Sequence, residues 1–264
     1  MNFGLIIIGD EILSGKRQDK HLAKTIELLA VRGLALSWAR YVGDDRPHII
    51  AALKDAFASG DAVFSCGGIG ATPDDHTRQC AAAAVGRPLA LHDGAKALIL
   101  ERMHDVAREQ GLPFEPDRKD NVHRLNMGMF PAGAELIPNP YNKIPGFSVN
   151  SVFFVPGFPV MAHPMIEWVL DTRFAHLHGQ HRHAERSVIV FGAMEAALTP
   201  LMEAVEARHT QVKVFSLPSV DHPQWGRHIE LGVKGDADAV APAYEMLRDG
   251  LRSLGATCGP KMVR

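Results

Sequence analysis

The chain has 264 residues, of which 46% are apolar, so it can form one large or two small domains with a real core, and disorder is excluded as its main state. Its 28 Lys and Arg residues against 30 Asp and Glu residues give a formal net charge of −2, which excludes a global positive field for nucleic acid or for an anionic membrane. The apolar runs are far shorter than the roughly 18 residues of a membrane span. A strand-like start without a signal peptide predicts a cytoplasmic protein, in which Cys66, Cys80 and Cys258 are expected to be reduced.

The first part of the chain alternates strand-like and helix-like segments. Residues 2–9 form a short run rich in Ile that ends at glycine, which is typical of a buried parallel strand. A helix follows, with Asp19 as its predicted cap and Gly33 after its end. The pattern continues with a strand, a helix opened by Asp44 or Asp45, a strand and an alanine-rich helix, over residues 34–42, 44–60, 61–66 and 77–85. This alternation predicts an α/β fold with a doubly wound, mostly parallel sheet.

The later part of the chain predicts a second, smaller domain. Residues 111–133 are rich in proline and glycine and are expected to form loop or short helix. An apolar strand over 149–155 and a helix over 160–176 complete a first domain that we place at 1–178. Beyond it, the order strand, helix, strand, strand, helix predicts a small α+β domain over 186–258. The linker carries histidines that we expect to be solvated rather than bound to a metal, namely His176, His178, His181 and His183.

A glycine-rich segment gives the strongest local signal for a binding site. Residues 67–77 read GGIGATPDDHT and follow the carboxyl end of a predicted strand, where doubly wound sheets bind ligands. Such glycines allow backbone N–H groups to surround an anion, and the next helix adds partial positive charge at its N-terminus. The segment therefore predicts a phosphate site. Asp74 and Asp75 would repel a bare phosphate, so they indicate a cation between them, an acid-base role or a simple turn capped by Asp75.

A second turn leaves the first strand in the same way. Residues 9–15 read GDEILSG and carry Asp10 and Glu11. Because strands one and three of such a sheet can lie side by side, these carboxylates are predicted to face Asp74 and Asp75 across one cleft. Four carboxylates beside glycine-rich turns predict a metal and phosphate site, whereas the plainer alternative makes Asp10 and Glu11 solvated loop charges.

These motifs and two later turns together resemble one known family. The later turns, NPYNKIPG over 139–146 and PGFP over 156–159, would carry no function by themselves. In this order, however, the chain resembles the molybdopterin-binding (MoaB/Mog-like) family, and most closely the N-terminal domain of the competence/damage-inducible protein CinA and of eukaryotic FAD synthase. The matching segments are Gly9–Gly15, Val42–Asp45, Gly67–Thr77 and Val155–Pro159. The resemblance covers residues 1 to about 175 and continues into the small α+β domain.

The resemblance implies metal-dependent hydrolysis of a nucleoside-diphosphate compound such as ADP-ribose or FAD. The alternative that it implies is a non-catalytic molybdopterin- or nucleotide-binding module of molybdenum cofactor metabolism. The implied cofactor is a divalent metal (Mg²⁺, Mn²⁺ or Co²⁺), with a monovalent cation as an optional addition and molybdopterin as the alternative ligand. The metal would be held by Asp10, Glu11, Asp74 and Asp75, and the catalytic residues would be Asp75 first, then Asp74 and Glu11. The residues expected to bind phosphate or nucleotide are Gly9, Ser14, Gly67, Gly68, Gly70, Ala71, Thr72, Thr77, Asn139, Pro156 and Gly157.

Departures from the family pattern bear on the substrate and on partners. Ala71 stands where many relatives have proline, Asn142 where glycine is usual, and the stretch RQDKH over 17–21 where relatives have asparagines. The small domain offers Phe191 and Phe215 as strand aromatics, but its basic residues are scattered, so nucleic-acid binding ranks last among the functions. The expected partners are a small nucleotide or pterin phosphate and a second copy of the chain in a homodimer, without nucleic acid or membrane.

Overall fold

The computed structural model of the protein describes residues 1–179 and 183–263, and the chain separates into two units, Met1–His178 and Gly179–Arg264. The strands of the first unit are β1 (Phe3–Ile8), β2 (Leu36–Val42), β3 (Ala62–Cys66), β4 (Leu89–Leu91), β5 (Met129–Pro131), β6 (Glu135–Ile137), β7 (Gly146–Val149) and β8 (Val152–Val155). Its helices are α1 (Asp10–Leu13), α2 (His21–Ala30), α3 (Arg46–Ser59), α4 (Thr77–Val85), α5 (Asp93–Glu109), α6 (Lys119–Leu125) and α7 (Pro159–Arg173), with short 3₁₀ turns at Asn126–Gly128 and Ala175–Leu177. None of the helices in the described ranges is long and apolar enough to cross a membrane.

The central sheet of the first unit has six strands in the order β2-β1-β3-β8-β7-β6. The pairs β2–β1, β1–β3 and β3–β8 are parallel, and the pairs β8–β7 and β7–β6 are antiparallel. Every residue of β1, β3 and β8 is buried, because the sheet has an apolar layer on each face. One layer contains Ile6 and Leu53, and the other contains Leu5 and Leu170. The predicted doubly wound, mostly parallel sheet is confirmed.

Local sequence signals explain where the helices begin. Both carboxylate oxygens of Asp19 accept hydrogen bonds from the first amides of α2, at 2.8 Å from His21 and 3.1 Å from Leu22. Of the two aspartates expected to open α3, Asp45 is the cap, and its side chain accepts from the His48 amide at 3.1 Å. Asp44 is thereby left for another role.

Two segments differ from the sequence-based expectation. The apolar stretch 149–155 is not one strand but the turn and second arm of a hairpin, because Asn150 adopts a left-handed conformation (φ 52°) between β7 and β8. Residues 111–133 contain α6 and β5, and β5 pairs with β4 in a separate ribbon. Short elements such as these lack the periodicity that identifies longer ones.

The second unit has an α+β fold, with helices packed against an antiparallel sheet. Its elements are β9 (His183–Phe191), α8 (Glu195–Arg208), β10 (Val212–His222), β11 (Gly226–Asp236), α9 (Ala237–Ser253) and β12 (Thr257–Val263). The strands form an antiparallel sheet in the order β10-β11-β9-β12, and its core includes Val190, Leu231 and Tyr244. The edge strand β12 extends past residue 258, where the predicted domain ends. In the histidine tract, the Nε2 of His178 lies 3.1 Å from the Leu170 carbonyl oxygen, whereas His181 lies outside the described residues.

Candidate functional site

Three turns meet at the carboxyl edge of the parallel strands. They begin at Gly9 after β1, at Gly67 after β3 and at Pro156 after β8, and these strands are neighbours in the sheet. The Gly67 amide donates to the Val155 carbonyl at 3.0 Å, and a Cβ on Gly67 would lie 2.3 Å from the carbonyl oxygen of Ile8. Only glycine allows the turns to pack this closely.

The turns line a cavity of about 520 Å³. Most of the predicted site residues lie on its wall: Gly9, Glu11, Gly67, Gly68, Gly70, Ala71, Thr72, Asp74, Asp75, Asn139, Pro156 and Gly157. Three predicted residues, Asp10, Ser14 and Thr77, do not line it. The wall also contains residues that were not predicted, namely Ile8, Arg17, Asp44, Ile69, Met127, Asn142, Ile144, Pro145, Phe158 and Met161.

Asp75 closes the glycine-rich loop from inside. One carboxylate oxygen accepts from the Gly70 amide at 2.9 Å, and the other accepts from the Thr72 amide and hydroxyl at 2.8 and 2.5 Å. A Cβ on Gly70 would lie 2.5 Å from this carboxylate, so the loop wraps directly around it. Asp75 lines the cavity as predicted, but its oxygens hold the loop in shape, so a catalytic role for this carboxylate stays a prediction.

Several donors expected to bind phosphate are likewise used within the loop. The hydroxyl of Thr77 is fully buried and donates to the Gly67 carbonyl at 3.0 Å, while its amide donates to the Gly68 carbonyl at 2.9 Å. Thr77 thus fastens the first turn of α4 to the loop, and its hydroxyl and amide are both engaged there. In the glycine-rich part of the loop, the amides of Gly68, Ile69 and Ala71 have no acceptor among the described residues. Since these residues line the cavity, their N–H groups are available to an anion bound there.

A buried arginine supports the loop from behind. Arg78 is 3% exposed, and its Nη1 donates to the carbonyls of Ile69 and Gly70, the second at 2.5 Å. Burial lowers the pKa of Arg78 from its ordinary value, and the charge of Asp75 partly opposes this shift. By engaging both carbonyl oxygens, Arg78 reduces the negative partial charge beside the free amides of Gly68, Ile69 and Ala71.

Asp10 and Asp44 connect two turns through reciprocal hydrogen bonds. The Asp10 amide donates to the Asp44 carboxylate at 2.9 Å, and the Asp44 amide donates to the Asp10 carboxylate at 3.1 Å. Asp10 was predicted as a metal ligand, but it does not line the cavity and instead holds the turn after β2 against α1.

The carboxylates that line the open part of the cavity are Glu11, Asp44 and Asp74. Burial raises the pKa of Asp44, as do the charges of Asp10, Glu11 and Asp74, while the hydrogen bond from the Asp10 amide lowers it. In contrast, the neighbouring Thr72 hydroxyl lowers the pKa of Asp74, although in the structure this hydroxyl donates to Asp75. Asp44 was missed as a site residue, although it follows β2, the neighbour of β1, at the same edge of the sheet.

The residues present do not form a complete metal site by themselves. Within residues 1–179 and 183–263, no three His, Cys, Asp or Glu side chains converge closely enough to hold a metal ion. Asp10 does not line the cavity and Asp75 is held by the loop, so a metal site in this cavity would have to use Glu11, Asp44 or Asp74. One or two carboxylates suffice for Mg²⁺ when a phosphate group of the ligand and water supply the remaining oxygens.

The other side of the cavity is apolar. It includes Met127, Ile144, Phe158 and Met161, which offer a surface for a flat ring. The nearby Asn139 is 4% exposed, and its amide group donates to the Asn142 side chain at 2.8 Å and to the Ile144 carbonyl at 2.9 Å. Asn139 therefore shapes the turn that carries Ile144. An anion-binding edge and an apolar wall in one cavity suit a compound with a ring and a phosphate group.

Comparison with known proteins agrees with the fold and the motifs. A family model described as a probable molybdopterin binding domain matches residues 4–176. A CinA-like protein of Syntrophotalea carbinolica is 32% identical over 219 residues, which cover 78% of this chain and 50% of the relative, and one of Geobacter sulfurreducens is 32% identical over 256 residues, covering 95% and 58%. This chain therefore spans about half the length of these relatives. The crystal structure of CinA from Thermoplasma acidophilum, described as of unknown function, matches with 27% identity and a TM-score of 0.53, covering 65% of this chain and 98% of that one. Because the family model covers most of the chain and includes all three turns of the cavity, the chain belongs to the molybdopterin-binding domain family and is similar to CinA-like proteins.

Proposed function

We propose that the first unit binds a nucleoside-diphosphate compound, such as ADP-ribose or FAD, and hydrolyses its diphosphate bond in a metal-dependent reaction. One observation carries this proposal: the unpaired amides of the glycine-rich loop and the carboxylates Glu11, Asp44 and Asp74 line the same cavity. Carboxylates beside an anion-binding loop are unfavourable unless a cation accompanies the anion, and a diphosphate is normally bound by proteins together with Mg²⁺.

The chain's own residues have separable roles in this proposal. The amides of Gly68, Ile69 and Ala71 bind non-bridging phosphate oxygens and stabilise the charge that develops on them. The apolar wall binds the base, and thereby fixes the position of the diphosphate relative to the carboxylates. A divalent ion held by Glu11 would neutralise the diphosphate and make a bound water more acidic, which leaves Asp44 and Asp74 free for proton transfer.

Opposite pKa shifts divide the proton transfers between two carboxylates. Asp74, whose pKa is lowered, stays ionised and accepts a proton from the water that attacks phosphorus. Asp44, whose pKa is raised, is the better proton donor of the two, and we assign to it the transfer to the bridging oxygen as the bond between phosphorus and that oxygen breaks. The products are then AMP and a second phosphate monoester when the substrate is ADP-ribose.

The test is AMP release from ADP-ribose and from FAD with Mg²⁺, Mn²⁺ or Co²⁺. Asp74→Asn and Asp44→Asn should each slow release by about 10²- to 10⁴-fold, the usual contribution of a general acid or base. Asp55→Asn is the matched control, because Asp55 is exposed on α3 and pairs with Arg40 outside the cavity. Hydrolysis that persists in both site variants would contradict these roles.

A second candidate is a non-catalytic module that binds molybdopterin or a nucleotide. It is favoured by the family's description and by the lack of three converging metal-ligating side chains within the described residues. This candidate predicts a rise in melting temperature with AMP or a pterin phosphate, but no product with any metal. That outcome would replace the hydrolase proposal. In either case we propose a homodimer, which light scattering on the purified chain would test.

A further inference from the structure

A second cavity lies beside the glycine-rich loop. Its volume is about 420 Å³, and it shares Ala71, Thr72 and Asp75 with the first cavity. Its own lining is basic, because it contains Arg46, His76 and Arg78, none of which lines the first cavity. The same stretch of loop therefore borders an acidic cavity and a basic one.

The basic side chains of the second cavity are not neutralised by carboxylates. Across the part of the chain that the structure describes, Arg46, His76 and Arg78 form no ion pair. Asp75 also lines this cavity, but its oxygens are occupied by the loop. Asp45, next to Arg46, is paired with His48 at 2.8 Å. Asp74 interacts with His76 only through its charge, and it lines the first cavity.

Arg78 is the unsatisfied group at this position. It is 3% exposed, its Nη1 is used by the two loop carbonyls, and its buried Nε has no hydrogen-bond partner. Its Nη2 donates to no described residue either. The charge of Asp75 acts on Arg78 without a direct ion pair, and a buried guanidinium with an unpaired Nε is costly, so a site lined by this side chain favours an anion.

Arg46 and His76 add fixed donors to the same cavity. An Nη of Arg46 lies 3.1 Å from the Nδ1 of His76. Because a guanidinium can only donate, Nδ1 accepts and a neutral His76 carries its proton on Nε2. Arg46 is the first residue of α3 and His76 immediately precedes α4, so the N-termini of two packed helices add partial positive charge here.

We propose that this second cavity binds a phosphate-type oxyanion through Arg46, the Nε2–H of His76 and Arg78. Two sources have this chemistry: a free phosphate or phosphate monoester, and the distal phosphate of a longer ligand whose other end occupies the first cavity. Because Ala71 and Thr72 line both cavities, the second source requires a ligand that spans these two residues. The proposal does not require that the first cavity be catalytic.

Inorganic phosphate at constant ionic strength is the probe, with binding measured by calorimetry and by the rise in melting temperature. Arg46→Gln and His76→Gln, both outside the core, should each weaken phosphate binding about tenfold, the value of one charge-assisted hydrogen bond. Lys54→Gln is the matched control, since Lys54 is exposed on the same helix and its loss changes the net charge equally. Equal phosphate affinity in wild type and in both site variants, or loss of phosphate binding when AMP saturates the first cavity, would overturn the proposal.

Comparing ADP-ribose with AMP identifies the source of the oxyanion. If the cavity receives a distal phosphate, Arg46→Gln weakens ADP-ribose binding about tenfold and leaves AMP binding unchanged. If it receives a free anion, both ligands bind Arg46→Gln as they bind the wild type, while phosphate binding alone falls. Either result supports the site, whereas unchanged affinity for all three ligands refutes it.

Discussion

Replacing Asp75 with asparagine tests whether this carboxylate holds the loop or takes part in chemistry. The side-chain oxygen of the new asparagine can still accept from the Gly70 amide, but its NH₂ group faces the Thr72 amide, which is a donor. The Thr72 hydroxyl can rotate and accept instead. The variant therefore loses one charge-assisted hydrogen bond and leaves one N–H unpaired.

The expected cost of Asp75→Asn is about 2 kcal/mol, the usual value for such a loss in a partly buried position. For a unit of this size it corresponds to a fall in melting temperature of about 4–8 °C. AMP affinity should fall together with stability, because Gly68, Ile69 and Ala71 are presented by the same loop. Circular dichroism melts and AMP titrations measure both effects.

Asp74→Asn is the control for this experiment, since Asp74 is exposed and does not bridge the loop. It should leave the melting temperature and AMP affinity unchanged while slowing hydrolysis. If Asp75→Asn melts like the wild type and binds AMP normally but releases no product, the structural role argued for Asp75 is refuted, and the carboxylate acts on the reacting atoms.

Three further changes follow from the geometry. Asp44→Asn should raise the melting temperature at pH 7. The pKa of Asp44 is raised in the folded protein, so wild-type stability falls as the pH rises above the ordinary value of 3.8, where the carboxyl group ionises. Melting curves across pH should show the gain in melting temperature disappear below pH 3.8. Thr77→Val should cost about 1–2 kcal/mol in denaturant titrations, because it removes the buried hydroxyl that donates to Gly67, whereas Thr77→Ser keeps the bond and should cost less; equal losses would contradict this role. Lys143→Gly relieves a left-handed backbone (φ 65°) but removes surface ion pairs with Glu101 and Asp105. Because salt screens these pairs in the wild type, the stability of the variant relative to wild type should rise as salt is added. A stability difference that is independent of salt would disprove the contribution of the pairs.

The main sheet could be predicted because its signals are local and strong. The apolar runs of β1 and β3 end at glycines, and the Asp19 and Asp45 caps mark α2 and α3. The hairpin of β7 and β8 could not be predicted, since Asn150 interrupts the apolar run with a conformation that asparagine adopts only in some contexts. The short strands β4 to β6 could not be predicted either, because strands of three residues form through pairing with a neighbour rather than through a pattern in their own sequences.

The site was predictable by segment but not by side-chain role. Glycines and carboxylates at strand ends indicate an anion site, but they do not indicate the direction in which each side chain points. The inward direction of Asp75 and the use of the Thr77 hydroxyl depend on a loop shape that spacing does not encode. Asp44 was missed for a different reason. The sequence signal for a helix cap belongs to its neighbour Asp45, and Asp44 comes to the cavity only because β2 pairs with β1.

The strand order has a consequence for synthesis on the ribosome. The carbonyl that receives the Gly67 amide belongs to Val155, at the end of β8, so the loop after β3 lacks this partner until roughly ninety further residues have been made. At typical elongation rates that interval is about 5–20 s, during which β3 has an open edge on the nascent chain. A nascent chain that stops short of β8 should thus neither bind AMP nor resist aggregation, and ligand binding would mark the moment at which the first unit is complete.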